Sequence, residues 1–194
     1  MKLSDRIWIT RKSRIYTEKR LLRKNLISQI LITFYSSLLV FITIWNLKYP
    51  NDQINIFLVI GSIAVLITSI TISSQKYLER SIAIRNCYIK LDELFYKVVR
   101  AEKNKNRDDE LIQQLESEYA TNLLNVENHS DYDYLCLRFS LRHNTNTTLP
   151  PFALRDHVQY ILEKGWRIIV IFLYFILPFA IAFLWNLYKN VSSN

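Results

Sequence analysis

Two sets of weakly polar side chains recur at helical spacing inside runs that are otherwise apolar. Gln29, Thr33, Ser36, Val40 and Thr43 follow one another at steps of four, three, four and three, which puts them on one face of a helix. Asn55, Ser62, Ser69 and Lys76 follow every seven residues in the next run, again on one face. Gly61 and Ala64 lie beside that second face and permit close approach of another helix. Hydroxyls and amides of this kind break no bonds. They serve either to line a watered path when several copies assemble, or to hold helix against helix by hydrogen bonding. Neither run contains a carboxylate, so a proton relay or ion-coupled transport is not expected. No inverted repeat is visible, which speaks against a transporter core.

The usual signs of bond chemistry are missing. There is no Gly-rich phosphate loop, no nucleophile elbow and no paired-carboxylate site. Asp131 and Asp133 lie near Glu127, but at the start of a short helix they read as a solvated cap. His129, His143 and His157 are isolated, and Cys87 and Cys136 form no CxxC pair. This spacing fits no metal site, so packed thiols and solvated histidines are expected. The chain is therefore expected to be no enzyme and to need no cofactor.

What must position the polar stripes are spanning helices. Half of the 194 residues are hydrophobic and the net charge is +8, with pI about 9.5. The apolar residues concentrate in three blocks of spanning length: 27–45, 54–74 and 166–185, the last with Arg167 at its edge and Pro178 inside. Trp45, Tyr49, Trp166 and Trp185 mark the block edges, as an interfacial belt would. The cations flank the blocks, so the lipid bilayer is the expected partner. Between the second and third blocks Lys and Arg are nearly balanced by Asp and Glu, so no direct nucleic-acid partner is expected.

Orientation follows from Lys and Arg. The leader 1–26 carries nine of them, the loop 46–53 only Lys48, and the segment after the second block begins Lys76, Arg80, Arg85, Lys90. The positive-inside rule then places the N-terminus and residues 75–165 in the cytoplasm of a multi-pass protein of the inner (plasma) membrane.

Beyond the second block the seven-residue spacing goes on. Tyr77, Ile84, Leu91 and Val98 form one row, with Ser81, Tyr88 and Phe95 beside it, close to a coiled-coil seam. The second span is thus expected to run on as one helix to about Arg100. Its seam packs either within the chain or between chains. In the leader, Ile15, Leu22 and Ile30 fall near one face, and an antiparallel packing on the helix after span two is expected. A second amphipathic helix carries Ile112, Leu115, Tyr119, Leu123 and Val126. A short capped helix follows near 132–141, so that 75–142 is a helical region. Residues 143–165 are a Pro-containing linker and an amphipathic segment. The expected fold is an all-α membrane protein: a two-helix transmembrane hairpin with long cytoplasmic extensions, plus a third C-terminal transmembrane helix.

These residues resemble the SLATT domain, the SMODS and SLOG-associating two-transmembrane effector domain. The resemblance covers roughly residues 5–142. It rests on the basic leader RIYTEKRLLRKNL, on the helix SQKYLERSIAIRNCYIKLDELFYKV after span two, and on the string YATNLLNVENHSDYDYLCLR. The third span is similar to that of SLATT family five. The resemblance implies a bacterial anti-phage effector that oligomerises into a membrane pore and depolarises infected cells. A reverse transcriptase or a nucleotide-second-messenger synthase is its implied partner. An alternative reading is a non-conducting anchor that recruits a soluble partner through residues 77–142.

Overall fold

The computed structural model describes residues 1–104, 108–124, 126–143 and 149–192, with side chains as far as 184. Six α-helices occur among them: α1 Leu3–Lys48, α2 Asp52–Ser74, α3 Tyr77–Lys103, α4 Asp109–Leu124, α5 Asp131–Ser140 and α6 Leu154–Ser192. The fold is all-α. The chain divides into a unit of residues 1–152 and a second unit of residues 153–194.

Among the described residues three stretches are long and apolar enough to cross a membrane: one in α1, one in α2 and one in α6 between Leu154 and Leu184. None of their apolar windows is buried within the chain. Side chains such as Val40, Phe41, Ile63, Leu66, Phe172 and Leu173 stay more than half exposed. So large a continuous apolar surface is stable only against lipid or other apolar helices.

In the first unit α1 and α2 form a hairpin. Asn46, 7 % exposed, closes its turn. The Asn46 side-chain Oδ1 accepts from the Asn51 backbone N–H (3.1 Å), and its Nδ2 donates to Asn55 Oδ1 (2.6 Å). Asn51 then caps α2 by accepting from the N–H groups of Gln53 and Ile54. Lower in the hairpin Gly61 meets Leu39, where an added Cβ would come within 2.9 Å of a Leu39 methyl. Close approach at Gly61 is thus used, whereas Ala64 faces away and is exposed.

Outside the apolar stretch α1 continues without a break and packs antiparallel on α3. Ser4 donates to Glu102 near one end (2.6 Å), and Arg85 bonds Glu18 toward the other (2.6 Å). The expected seam is consumed here, within one chain: Ile84, Leu91 and Val98 are buried and Tyr77 is half-buried. Ile7, Cys87, Leu91, Leu94, Val98, Leu115 and Tyr119 make the core of this bundle, which brings α4 onto α1 and α3. Each large apolar side chain so buried contributes about 1.5–3 kcal/mol.

Two expectations shift. The buried face of α1 runs through Ile7, Arg14, Thr17, Glu18 and Leu21 rather than through Ile15, Leu22 and Ile30. Polar partners on α3 and α5 make a polar face the better one to bury. Nor do α2 and α3 form one helix: Lys76 sits between them in the left-handed region (φ 49°, ψ 39°). In the second unit α6 takes in both the amphipathic segment and the third apolar block as one helix, with Pro178 inside it.

A lysine at positive φ carries a steric cost that glycine avoids. Lys76→Gly is expected to raise the thermal stability of the detergent-solubilised protein, by about 1 kcal/mol. Lys76→Val, β-branched, is expected to lower it by a similar amount or more. Equal melting temperatures for the two variants would show that the joint bears no strain.

Candidate functional site

The polar residues of the hairpin gather on one surface. Ser36 and Thr43 of α1 and Asn55 and Ser62 of α2 line an open groove of about 570 Å³, with apolar walls from Leu39, Val40, Leu58, Val59 and Val65. The local helix geometry settles part of their hydrogen bonding. Thr43 Oγ1 donates to the Leu39 carbonyl and Ser62 Oγ to the Val59 carbonyl, each at 2.8 Å. Asn55 Oδ1 is held by Asn46. The hydroxyls keep acceptor lone pairs facing the groove, so the surface is weakly polar and uncharged. It can hydrate a path or bond to a neighbouring helix.

Three other residues of the two stripes lie elsewhere. Gln29 and Thr33 are exposed on α1 and do not line the groove. Ser69 is half-buried on the side of α2 shared by Ile54, Leu58, Gly61 and Val65, the side that meets α1. Of the seam residues, Tyr77 lies at the head of α3 between two cations, with Lys24 Nζ 5.8 Å and the Arg80 guanidinium 6.0 Å from its ring centroid.

Beyond the apolar stretch, a network of buried charges joins α1, α3 and α5. The Asp133 side chain, 1 % exposed, accepts from Arg20 Nε at 2.9 and 3.1 Å, from Arg20 Nη2 at 3.0 Å and from Thr17 Oγ1 at 3.0 Å. It also takes the Ser130 N–H at 3.0 Å, while Ser130 Oγ accepts from the Asp133 N–H. This capping box starts α5 and fixes it to α1 in one device. The reading of Asp133 as a solvated cap is corrected. Its cap is present, but burial and Arg20 turn it into a cross-helix tie. Burial by itself would raise the Asp133 carboxyl, yet the bonds from Arg20 and Ser130 outweigh that and hold it below the usual aspartate value.

Glu18, also buried, accepts from Arg85 and from the Tyr88 hydroxyl (2.9 Å), and so ties α1 to α3. Arg11 pairs with Asp92, and Arg80 pairs with Glu127. Arg14 is different: 2 % exposed, it donates Nη1 to the Cys87 sulfur at 3.3 Å, and its Nε meets no partner. The Cys87 thiol in turn donates to the Asn122 carbonyl at 3.2 Å. Burial raises the thiol and lowers the His129 ring from their ordinary values. His129 is thus a half-buried neutral side chain rather than a solvated one. Cys87 is the packed thiol that was expected, and both cysteines are free.

The sequence gives only a partial signal for this network. The Ser130-x-x-Asp133 spacing announces a capping box. Nothing local announces that Arg20, 113 positions away, completes it. No group of three or more His, Cys, Asp or Glu among the described residues is placed to hold a metal ion.

Residues 1–184 match a protein family described as SMODS and SLOG-associating 2TM effector domain family 5. The matched span takes in both hairpin helices, the α3–α5 bundle and the apolar part of α6. No curated protein and no solved structure matches the chain.

Two outcomes follow from the network. A carboxyl held below its ordinary value stabilises the fold above the unfolded pKa, near 3.9, and that stability is lost as pH falls through the folded value. Docking of α5 is therefore expected to persist at neutral pH and to fail only in strong acid, below the ordinary aspartate range. Asp133→Asn should weaken it by about 3 kcal/mol at pH 7, read as faster hydrogen exchange in residues 131–140. Arg14→Met is expected to act the other way. Removing a buried charge that lacks a carboxylate should stabilise the fold by about 1 kcal/mol or more, read as a higher melting temperature. A lower one would mean that Arg14 is better satisfied than its contacts indicate.

Proposed function

Because the chain belongs to the SMODS and SLOG-associating 2TM effector domain family 5, we propose that it is the membrane effector of a bacterial anti-phage defence system. It acts by assembling several copies around a water-filled path that dissipates the membrane potential of an infected cell. The observation that carries this reading is the groove of the α1–α2 hairpin. Polar side chains from two different helices share one open surface there, in a hairpin whose apolar surface is otherwise unburied. One hairpin encloses no channel. Repeating the surface about a symmetry axis does, with Ser36, Thr43, Asn55 and Ser62 toward the axis and the apolar flanks toward lipid. Lowering the potential is then the whole activity, and no bond is made or broken.

In this reading the leader and residues 75–165 face the cytoplasm of the inner membrane, as the distribution of Lys and Arg favours. The α3–α5 bundle is the part within reach of a soluble partner. Its buried ionic ties suit a region that must hold one arrangement until a signal arrives. The family description associates such effectors with SMODS and SLOG proteins, and the resemblance also implies a reverse transcriptase. A protein of one of these kinds is the proposed source of the signal.

Replacing the groove hydroxyls by apolar groups of similar or larger size separates this reading from that of a non-conducting anchor. Ser36→Leu with Ser62→Leu is expected to lower single-channel conductance in reconstituted bilayers several-fold, with membrane insertion unchanged. In cells the same variant should abolish the depolarisation that a voltage-sensitive dye reports for the wild type. If wild-type protein shown to be in the membrane leaves the potential steady under every condition, the anchor reading takes its place.

A further inference from the structure

On α3 the large apolar side chains that stay exposed form one row. Leu78, Ile82, Ile89 and Tyr96 are between 48 and 57 % exposed, and they fall within about 40° of one another around the axis. Every other exposed residue of α3 is polar or alanine. Ile82, Ile89 and Tyr96 follow every seven residues, the spacing that carries a seam along supercoiled helices. This seam is separate from that of Ile84, Leu91 and Val98, which is buried within the chain about 160° around the helix. Lipid does not cover its length. Ile89 and Tyr96 stand about 22 and 33 Å along the helix from Ser74, past a headgroup layer of about 5–8 Å.

The row faces the same way as the groove. Both α2 and α3 run antiparallel to α1, and each turns one side to it. On α2 that side runs through Leu58, Gly61 and Val65, and the groove residues Asn55, Val59 and Ser62 lie about 60–120° further around. On α3 it runs through Tyr88 and Phe95, which meet Glu18 and Arg11. The exposed row lies about 80–140° further around, in the same sense. Helix α4 sits on the opposite flank, where Cys87 meets Asn122 and Lys97 meets Glu118. On α1, Ile15 and Leu22 are half-buried on the side of the row. They point away from Arg6, Thr10, Thr17 and Arg20, through which α4 and α5 reach α1. One face of the first unit thus carries a polar groove in the apolar stretch and an apolar row beyond it.

We propose that the α3 rows of copies around one axis pack on one another and close the path beyond the groove. The proposal rests on the pore reading above and names the gate of that pore. Around an axis that the groove faces, the row faces the axis too. A membrane holds every copy upright at one height, so each residue of the row meets its own equivalent. Parallel helices with apolar residues at this spacing pack in that way. A constriction of apolar side chains sheds water and stops ions with no charged group at all. Drawing the rows apart opens the path. Because α1 is unbroken from Leu3 to Lys48, a movement of the bundle reaches the groove directly.

Full-length protein in potassium-loaded liposomes tests the contact and the gate separately. Ile89→Cys is expected to give disulfide-linked dimers on mild oxidation, where the wild type with its native cysteines gives none. Ala83→Cys, on the α4 side of the helix, should give none either. Ile82→Asn with Ile89→Asn is expected to speed potassium efflux by about tenfold, as wetting of an apolar constriction would. Both positions are exposed, so membrane insertion and melting temperature should not change. Ile82→Leu with Ile89→Leu should keep the wild-type efflux. Absence of the dimer overturns the contact between copies. Unchanged efflux in the asparagine variant, where the wild type conducts, overturns the gate. Either result leaves the pore reading standing. Wild type and variants that never conduct overturn the pore reading and the gate with it. A cross-link within one chain between Ile89→Cys and Val158→Cys, in place of the dimer, would assign the row to residues 154–164 and overturn the proposal.

Discussion

Helix α1 runs for 46 residues without a break, a length of about 69 Å, of which roughly 30 Å suffices to cross the hydrocarbon of a bilayer. A rigid rod of that length cannot bend back, so its first half must stand in water beside whatever the rest of the chain supplies. The chain supplies α3, which leaves the apolar stretch beside it and packs antiparallel over the same length. The hairpin and the water-exposed bundle thereby share one scaffold, and α4 and α5 are added to a surface that α1 and α3 already define. A rotation or tilt of α1 in either half is carried to the other, because no loop lies between to absorb it.

Charges rather than apolar residues do much of the joining outside the apolar stretch. Arg20–Asp133 ties α1 to α5, while Glu18 with Arg85 and Tyr88 ties α1 to α3. Pairs with a buried carboxylate bring little net stability compared with apolar contacts of the same volume, and they are costly when the cation is lost. They do fix which residue meets which. The core near the far end of the bundle, from Ile7 to Tyr119, is apolar and supplies the free energy. The level nearer the membrane, from Arg14 to Arg20, is polar and supplies register. Arg14 breaks the pattern of matched charge, having a thiol where a carboxylate would be expected.

Helix existence and order were legible in the sequence because hydrophobic periodicity and charge-free runs report directly on burial and on lipid. The row Ile84, Leu91, Val98 marks the buried side of α3, and Leu115 with Tyr119 marks that of α4. The face of α1 is not legible from apolar residues, because α1 buries Ser13, Arg14, Thr17 and Glu18 there. Only contacts more than sixty positions away make that face favourable, and no local pattern carries them. The groove shows the same division. Helical spacing placed Ser36 with Thr43 and Asn55 with Ser62, but which members of each stripe share a surface depends on how the helices rotate about their contact at Gly61 and Leu39. That rotation moves Ser69 toward α1 and leaves Gln29 and Thr33 outside the groove.

The joint at Lys76 shows why a seven-residue repeat read across it misleads. On α2 the half-buried side runs through Ile54, Leu58, Gly61, Val65, Ser69 and Ile72. Carried onward at 100° per residue, that side would pass near positions 76, 79, 83 and 86. The buried side of α3 instead runs through Ser81, Ile84, Cys87, Leu91 and Leu94, turned by about 75° from that course. One residue in the left-handed region resets the phase, so that two helices of different facing both meet the straight side of α1. An uninterrupted helix would have to bury one of its halves against α1 and turn the other away. The strain at Lys76 is therefore the local cost of letting α1 serve as partner both in the apolar stretch and beyond it. A residue whose side chain remains in water can bear that cost without losing a buried contact.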